Sequence, residues 1–166
     1  MQVLVVEQLT RSSFARFGDV IEPAGAQRVF AINEGTTTRF HDLARIDCAN
    51  AGGRAVLSLF RAQPRALPFD VVMLERHPLG SQAFVPRGDF PYLVVVGTGA
   101  NEAPRAFLAT AGQGVNFHAG TWHHPLLALD RESDFLVVDR AGPGENCDEV
   151  PLAQAWRIVS AVVGAT

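Results

Sequence analysis

The sequence predicts an all-β domain, either a sandwich or a barrel, with a few short helices at its periphery. Short apolar segments rich in Val, Phe and Leu follow one another closely, and Gly, Pro, Asp or Asn residues bound them. Many short strands at such spacing are typical of sandwiches and barrels rather than of βαβ units. The clearest predicted strands are Ala55–Arg61, Phe69–Glu75, Tyr92–Val96, Arg105–Thr110, Val115–His118, Pro125–Leu129 and Phe135–Asp139.

Shorter elements are predicted near both ends of the chain. Val3–Val6 and Val29–Ile32 are predicted strands, and Thr10 or Ser12 can cap a brief helix that ends before the next glycine. At the C-terminal end, a proline at the first position and helical spacing of the apolar residues predict a helix over 151–163. We expect this helix to pack on the outside of the barrel or on a second subunit. Its shared apolar face consists of Leu152, Ala155, Trp156, Val159 and Val163.

The composition indicates a folded, globular protein. With 166 residues, 48% of them hydrophobic, the chain is predicted to form a single domain over 1–166. A net charge of −3 argues against a nucleic-acid partner, because phosphate binding needs a basic surface. The N-terminus lacks the features of a signal peptide, and the apolar run Ile158–Ala165 is too short to span a bilayer. Cys48 and Cys147 suit a reducing compartment, with one buried disulfide as the alternative.

A first polar stretch, Glu75–Pro86, interrupts the apolar segments. Glu75 and His77 are two positions apart, and side chains at that spacing share one face of a strand. A turn with a proline and a glycine follows, and Gln82 then opens the next predicted strand. The stretch therefore presents a carboxylate, an imidazole and an amide at one end of adjacent strands.

A second polar stretch, Gly112–Pro125, supplies three histidines. Neighbouring residues in a strand face opposite ways, so only one of His123 and His124 can face an interior pocket. We assign that position to His123 and expect His124 to be packed and hydrogen-bonded. His118 can face the pocket or serve a structural role. The side chains that a barrel can bring to one point are Glu75, His77, Gln82 and His123.

Together the two stretches resemble a degenerate pair of cupin motifs. In that pattern the first motif supplies two histidines one residue apart and a glutamate, and the second motif supplies a third histidine. Here Glu75 takes the first histidine position, His77 the second and Gln82 the glutamate position. His123 matches the histidine of the second motif. Two of the usual ligand positions are therefore altered.

A closer resemblance is to the ureidoglycolate lyases, a family of allantoin-degrading enzymes with a cupin barrel. The matching motifs occur in family order over most of the chain. They are Phe40–Ala44, Arg61–Pro64, Leu74–Gly80, Gly114–His118, Trp122–Leu126, Asp134–Leu136, Asp139–Arg140 and Asn146–Asp148. Ordered polar motifs of this length make the resemblance specific.

The resemblance implies a cupin-type double-stranded β-helix barrel. It implies cleavage of (S)-ureidoglycolate to glyoxylate and urea by a cytoplasmic homodimer. A divalent metal, nickel or zinc, is the implied candidate cofactor, and no organic cofactor or membrane partner is expected. Two alternatives are an amidohydrolase that releases ammonia from ureidoglycolate and a non-catalytic cupin that binds a ureide or another small molecule.

Elimination from ureidoglycolate needs a base for the hydroxyl proton, an acid for the departing nitrogen and a cation for the carboxylate. Histidine can be acid or base near neutral pH. The chain has no lysine, so an arginine, a histidine or backbone must bind the carboxylate. Without a metal, Glu75 is the alternative base, with a pKa raised by an apolar barrel. The candidates are Glu75, His77, His118 and His123 for catalysis, His41, Arg61 and Gln82 for substrate binding, and Glu75, His77, Gln82 and His123 for a metal.

Structural roles remain alternatives for several of these residues. Glu75 and His77 can form an ion pair at a strand end, because ion pairs gather the same residue types. Arg61 can be a surface arginine. Asp139 and Arg140 are expected to pair with each other.

Overall fold

The computed structural model describes residues 2–110 and 112–163, and nearly all of its regular structure is β-strand. Short helical elements lie at the periphery: α1 (Arg11–Phe14) and single turns at Pro23–Gly25, Asn33–Gly35 and Asn50–Gly52. The strands are β1 (Gln2–Val3), β2 (Val6–Gln8), β3 (Gly18–Ile21), β4 (Arg28–Ile32), β5 (Thr37–His41), β6 (Arg54–Ala62), β7 (Phe69–Arg76), β8 (Gln82–Pro86), β9 (Tyr92–Gly97), β10 (Arg105–Ala109), β11 (Gly114–Phe117), β12 (Trp122–His123), β13 (Leu127–Ala128), β14 (Ser133–Ala141) and β15 (Asp148–Ile158).

Among the described residues these strands form two large sheets and a separate hairpin. The first sheet has the order β1–β15–β7–β12–β9–β10–β2, and β13 also pairs with β9. The second sheet has the order β3–β11–β8–β14–β6, and β4 pairs with β5 alone. Residues 2–8 contact both edges of the first sheet, because β1 pairs with β15 and β2 with β10. The prediction of an all-β, cupin-like barrel with a few short peripheral helices is confirmed.

Apolar side chains on both faces of the first sheet are buried, and β9 shows why. Tyr92, Val94 and Val96 belong to the cluster inside the barrel, whereas Leu93 and Val95 belong to a second cluster on the opposite face. A strand that is covered on both faces has no polar side, which explains the unbroken apolar run at this position. The interior cluster also includes residues of α1 and of the second sheet.

The N-terminal elements follow the prediction in part. Thr10 caps α1, with its hydroxyl oxygen 3.1 Å from the amide of Ser13, although the helix ends at Phe14. The predicted single strand Val3–Val6 is instead β1 and β2, which pair with different partners. Both cysteines are free thiols, Cys48 buried and Cys147 exposed, so the alternative of a disulfide is not realised.

The predicted C-terminal helix is wrong, because β15 occupies most of that segment and pairs antiparallel with β7. The apolar residues that pack against the second cluster alternate along the strand, but a register shift between Pro151 and Trp156 interrupts the alternation. Such an interruption spaces inward-facing residues by four positions, which imitates a helical repeat.

The helices in the described ranges are all too short or too polar to cross a membrane, and the final residues of the run Ile158–Ala165 lie outside those ranges.

Arg140 is hydrogen-bonded to two loops beside the candidate site. The residue is only 7% exposed, and its guanidinium donates to the carbonyl oxygens of Asn50, Ala51 and Pro143 at 2.9, 3.1 and 2.8 Å. The prediction of an ion pair with Asp139 is therefore wrong, because the guanidinium of Arg140 is hydrogen-bonded to these carbonyls instead. Gly80 fits against this arginine, since an added Cβ would lie 2.7 Å from the Cβ of Arg140.

We expect Arg140→Gln to lower the free energy of unfolding by about 2–4 kcal/mol, because a buried, charged donor and its three hydrogen bonds are lost. Urea denaturation measures the effect. Arg16→Gln is the control, because Arg16 is exposed, and it should change stability by less than about 0.5 kcal/mol. Equal midpoints for the two variants would contradict the structural role of Arg140.

The ion pair between Glu7 and Arg105 joins β2 to β10. The Arg105 guanidinium contacts both carboxylate oxygens of Glu7, at 2.9 and 2.6 Å, and also donates to the carbonyl of Ser13 at 3.0 Å. The hydrogen bonds from Arg105 lower the pKa of Glu7 from its ordinary value of 4.5, against the opposing effect of burial.

Because the folded-state pKa of Glu7 lies below 4.5, this ion pair stabilises the protein above that pH and loses its effect as the pH falls through the folded-state value. We expect Glu7→Gln to cost about 0.5–1 kcal/mol at neutral pH, since the pair is partly exposed. The difference from the wild type should shrink in acid. Denaturant titrations at several pH values test this, with the exposed Glu34→Gln as control. A difference that stays constant down to the acid limit would contradict it.

Candidate active site

The candidate site forms where β7 and β12 meet. Glu75, near the end of β7, lies directly opposite His123 in the antiparallel register, and His77 follows two positions later. One ligand atom from each of these residues lies within 4.8 Å of the other two. Three of the four residues that the sequence predicted to converge, Glu75, His77 and His123, are thus brought together.

Backbone carbonyls hold both imidazoles. The Nδ1 atom of His77 lies 2.7 Å from the carbonyl oxygen of Asn146, and that of His123 lies 2.9 Å from the carbonyl oxygen of Thr121. A carbonyl can only accept, so each Nδ1 carries a proton and donates it. In the neutral rings, both Nε2 atoms are therefore free to bind a proton or a metal. Both are buried and have no hydrogen-bonding partner within the described residues.

Aromatic packing and an amide complete the centre. The ring of Phe117 stacks on His123 at 4.2 Å with an interplanar angle of 10°, and the rings of His77 and His123 are 5.3 Å apart. Gln82 is 6% exposed, and its Oε1 atom is also buried without a partner among the described residues. Unpaired buried acceptors are costly, so their concentration at one point indicates a site for a ligand.

The carboxylate of Glu75 lies beside His123, with Oε1 3.5 Å from Nε2. A proton on this Nε2 makes His123 an imidazolium that can donate to Glu75. The interaction with His123 is the main reason that the pKa of Glu75 is lowered, while burial acts in the opposite direction. The expectation that an apolar barrel raises this pKa is therefore wrong, because the neighbouring imidazoles outweigh the loss of hydration.

Two cavities adjoin the centre, and Gln82 lines both. The first, which we name the Arg61 cavity, has a volume of about 330 Å³ and includes Arg61, Glu75 and Phe84. The second, which we name the Asp139 cavity, has a volume of about 310 Å³ and includes His77 and Asp139. The centre is thus flanked by cavities of different chemical character.

Arg61 is positioned at the first of these cavities but already has a partner. Its Nε and Nη2 atoms donate to the carboxylate of Asp134 at 2.8 and 3.0 Å, and Glu132 lies 3.5 Å away. The hydrogen bonds from Arg61 to Asp134 raise the pKa of Arg61 further above its ordinary value. The Nη1 edge is not used in these contacts and can face a ligand.

The other predicted histidines lie apart from the centre. His118 follows β11, and its Nε2 lies 3.5 Å from Asp19, because Phe117 rather than His118 turns inward. His41 ends β5, with its ring 6.0 Å from Phe30 on the separate hairpin. His124 is packed as predicted, edge-on to Phe69 at 5.4 Å, and its Nδ1 lies 2.8 Å from the carbonyl oxygen of Pro125.

Sequence reasoning missed the supporting role of Asn146 and its neighbours. The carbonyl of Asn146 orients His77, and its side chain accepts from the amide of Leu79 at 2.8 Å. Cys147 and Glu149 form a second group of potential ligands with Glu75, within 4.8 Å of one another. The only sequence signal for these residues was the family-like motif Asn146–Asp148, to which the resemblance assigned no role.

Comparisons with known proteins identify the family. The family model described as ureidoglycolate lyase matches residues 1–159. The chain is similar to a ureidoglycolate lyase of Burkholderia mallei, 57% identical over 158 residues that cover 93% of this chain and 92% of that protein. It is also similar to ureidoglycolate lyases of Burkholderia cepacia (57% over 160 residues; 94% and 90% covered) and Brucella melitensis (56% over 152; 90% and 89%). The chain therefore belongs to the ureidoglycolate lyase family.

Proposed function

We propose that this protein is a lyase that cleaves (S)-ureidoglycolate to glyoxylate and urea. The observation that carries the proposal is the convergence of a carboxylate and two imidazoles whose Nε2 atoms are buried without partners among the described residues. Membership of the family selects the substrate, and the relatives are named for the same activity.

The reaction requires only proton transfers around one carbon atom. That carbon bears a hydroxyl, a carboxylate and a nitrogen of the urea group. A base removes the hydroxyl proton, the C–O bond becomes the carbonyl of glyoxylate, and the C–N bond breaks. An acid protonates the departing nitrogen, which leaves as urea. No water is consumed and no covalent enzyme intermediate is needed.

We assign the proton acceptor to the pair of Glu75 and His123. These side chains are 3.5 Å apart and can share the hydroxyl proton. His77 lines the other side of the centre and, as an imidazolium, would donate from Nε2 to the departing nitrogen. A positioned acid or base typically contributes about 10² to 10⁴ to the rate. Gln82 is proposed to bind the substrate from between the two cavities.

The ligand atoms at the centre also suit a divalent metal. Two imidazoles and one carboxylate are a known ligand set for catalytic zinc, and imidazole also suits nickel. We propose Glu75, His77 and His123 as the ligands, with Gln82 as a weaker fourth. When bound, such an ion would acidify the substrate hydroxyl. The carbonyls that hold both Nδ1 atoms would keep the imidazoles in the orientation that such ligands need.

We also propose that the chain acts as one domain and as a homodimer in the cytoplasm. The two free thiols are compatible with a reducing compartment. Strand β6 lies at an edge of the second sheet, and it exposes Leu57 by 67% and Leu59 by 49%. Exposed apolar edges of this kind are normally covered in the native protein, which supports an interface at this position.

The purified protein, mixed with ureidoglycolate, should release glyoxylate and urea in equal amounts. His77→Ala and His123→Ala should each lower kcat/KM by at least about 10²-fold, because each removes a proton-transferring group. His118→Ala is the matched control and should retain activity within about threefold. Assays with and without a chelator, followed by addition of nickel or zinc, test the metal.

Each alternative has its own outcome in this experiment. Ammonia in place of urea would identify an amidohydrolase, and tight binding without turnover would identify a binding protein. Full activity of a folded His77→Ala or His123→Ala variant would remove that residue from the proposed site. Loss of activity in His118→Ala would restore its predicted catalytic role.

Arg61→Gln should raise the KM for ureidoglycolate about tenfold, because a charged hydrogen bond to the carboxylate is lost. Steady-state kinetics measure the change. Arg87→Gln is the control: Arg87 also approaches Asp134, at 4.0 Å, but Arg87 does not line the Arg61 cavity. Equal KM values for the two variants would exclude Arg61 as the carboxylate-binding residue.

A further inference from the structure

We propose that the Asp139 cavity is the subsite for the ureido group and that Asp139 is its specificity-determining residue. This inference rests on the proposed function, because it assigns an orientation to the substrate at the same centre. It places the substrate carboxylate at the Arg61 cavity and the departing urea on the opposite side of Gln82.

The Asp139 cavity presents hydrogen-bond acceptors and negative charge. The residues that line it include Asp139, on β14, and Glu145, which carry carboxylates, and Ser81, which carries a hydroxyl. The carboxylate of Asp139 has no hydrogen bond or ion pair to any residue that the structure describes. A half-buried carboxylate without a partner is available to bind a donor from a ligand.

The guanidinium of Arg140 does not turn the Asp139 cavity into a binding site for a carboxylate. Arg140 also lines the cavity, but its Nε and Nη2 atoms bind three backbone carbonyls, as described above. A guanidinium held in this way is a poor clamp for an incoming carboxylate, because turning towards it would break the hydrogen bonds that hold the buried Arg140 side chain. The cavity therefore favours a neutral group with N–H donors.

The two ends of ureidoglycolate differ in the same way as the two cavities. The ureido end is neutral and carries N–H groups that match carboxylate acceptors. The carboxylate end is anionic, so Asp139 and Glu145 repel it. At the other cavity Asp134 offsets the charge of Arg61, and the unused Nη1 edge of Arg61 is the donor that we assign to the substrate carboxylate. Repulsion at the Asp139 cavity therefore favours one orientation.

This orientation is consistent with the proton transfers. His77 lines the Asp139 cavity, whereas Glu75 lines the Arg61 cavity. A ureido group bound by Asp139 brings the departing nitrogen to the side of His77. The hydroxyl-bearing carbon then lies between His77 and the Glu75–His123 pair. Binding and acid–base chemistry thus require the same placement of the substrate.

The test uses Asp139→Asn, which keeps the size of the side chain but replaces an accepting edge with a donor. Ureidoacetate, an unreactive analogue without the hydroxyl, reports on the ureido end, and glycolate, which lacks a ureido group, reports on the carboxylate end. Asp139→Asn should weaken ureidoacetate binding, measured by calorimetry, at least tenfold and leave glycolate binding unchanged. For ureidoglycolate, KM should rise about tenfold with kcat within about threefold.

The matched control is Asp130→Asn, which removes the same charge from an exposed turn outside both cavities. Its φ angle of 61° suits asparagine, so the substitution should be harmless. Weaker glycolate binding with unchanged ureidoacetate binding in Asp139→Asn would overturn the orientation. Equal ureidoacetate affinity in Asp139→Asn and Asp130→Asn would overturn the subsite. If the wild type binds ureidoacetate through Asp139 but does not turn over ureidoglycolate, the proposed function fails while the subsite stands.

Discussion

The candidate site depends on the antiparallel register between β7 and β12, which sets His123 directly opposite Glu75. A shift of one residue would turn one of these side chains to the other face of the sheet, and Glu75 and His123 would no longer be in contact. Strand β12 is only two residues long, so its register depends on its neighbours rather than on its own hydrogen bonds. The amide of Gly120 donates to the carbonyl of His77 at 2.8 Å, which connects the approach to β12 directly to the first polar stretch.

Holding the centre in this form costs stability. Acceptors of His77, Gln82 and His123 are buried without partners among the described residues, and each such atom costs about 1–3 kcal/mol. Stacking of Phe117 on His123 and the carbonyl contacts at both Nδ1 atoms offset part of this cost. A fold that keeps unpaired acceptors together in this way is prepared for a ligand that pairs them, which is the expected signature of a functional site.

The sequence predicted the barrel and the core of the site because both depend on local patterns. Apolar strands, the Thr10 cap and the two polar stretches are visible in a few consecutive residues. The failures involve contacts across the fold. The register shift in β15 produced an apolar spacing that resembles a helix. Arg140 binds carbonyls of loops that are distant in sequence, so local patterns could not predict those contacts. The lowered pKa of Glu75 depends on the proximity of His123. Whether His118 faces inward depended on Phe117 filling the interior.

The motif Asn146–Asp148 shows how one segment can join the Asp139 cavity to the centre. Asn146 orients His77 through its carbonyl, and Asp148 binds Arg76 at 2.8 Å on the strand that carries Glu75. Cys147, between them, lines the Asp139 cavity. Since the same short segment contacts His77, the proposed acid, and forms part of the wall of the Asp139 cavity, a displacement of the segment would disturb the proposed proton transfer and ureido binding together. This coupling explains why a stretch without an obvious catalytic residue belongs to the site.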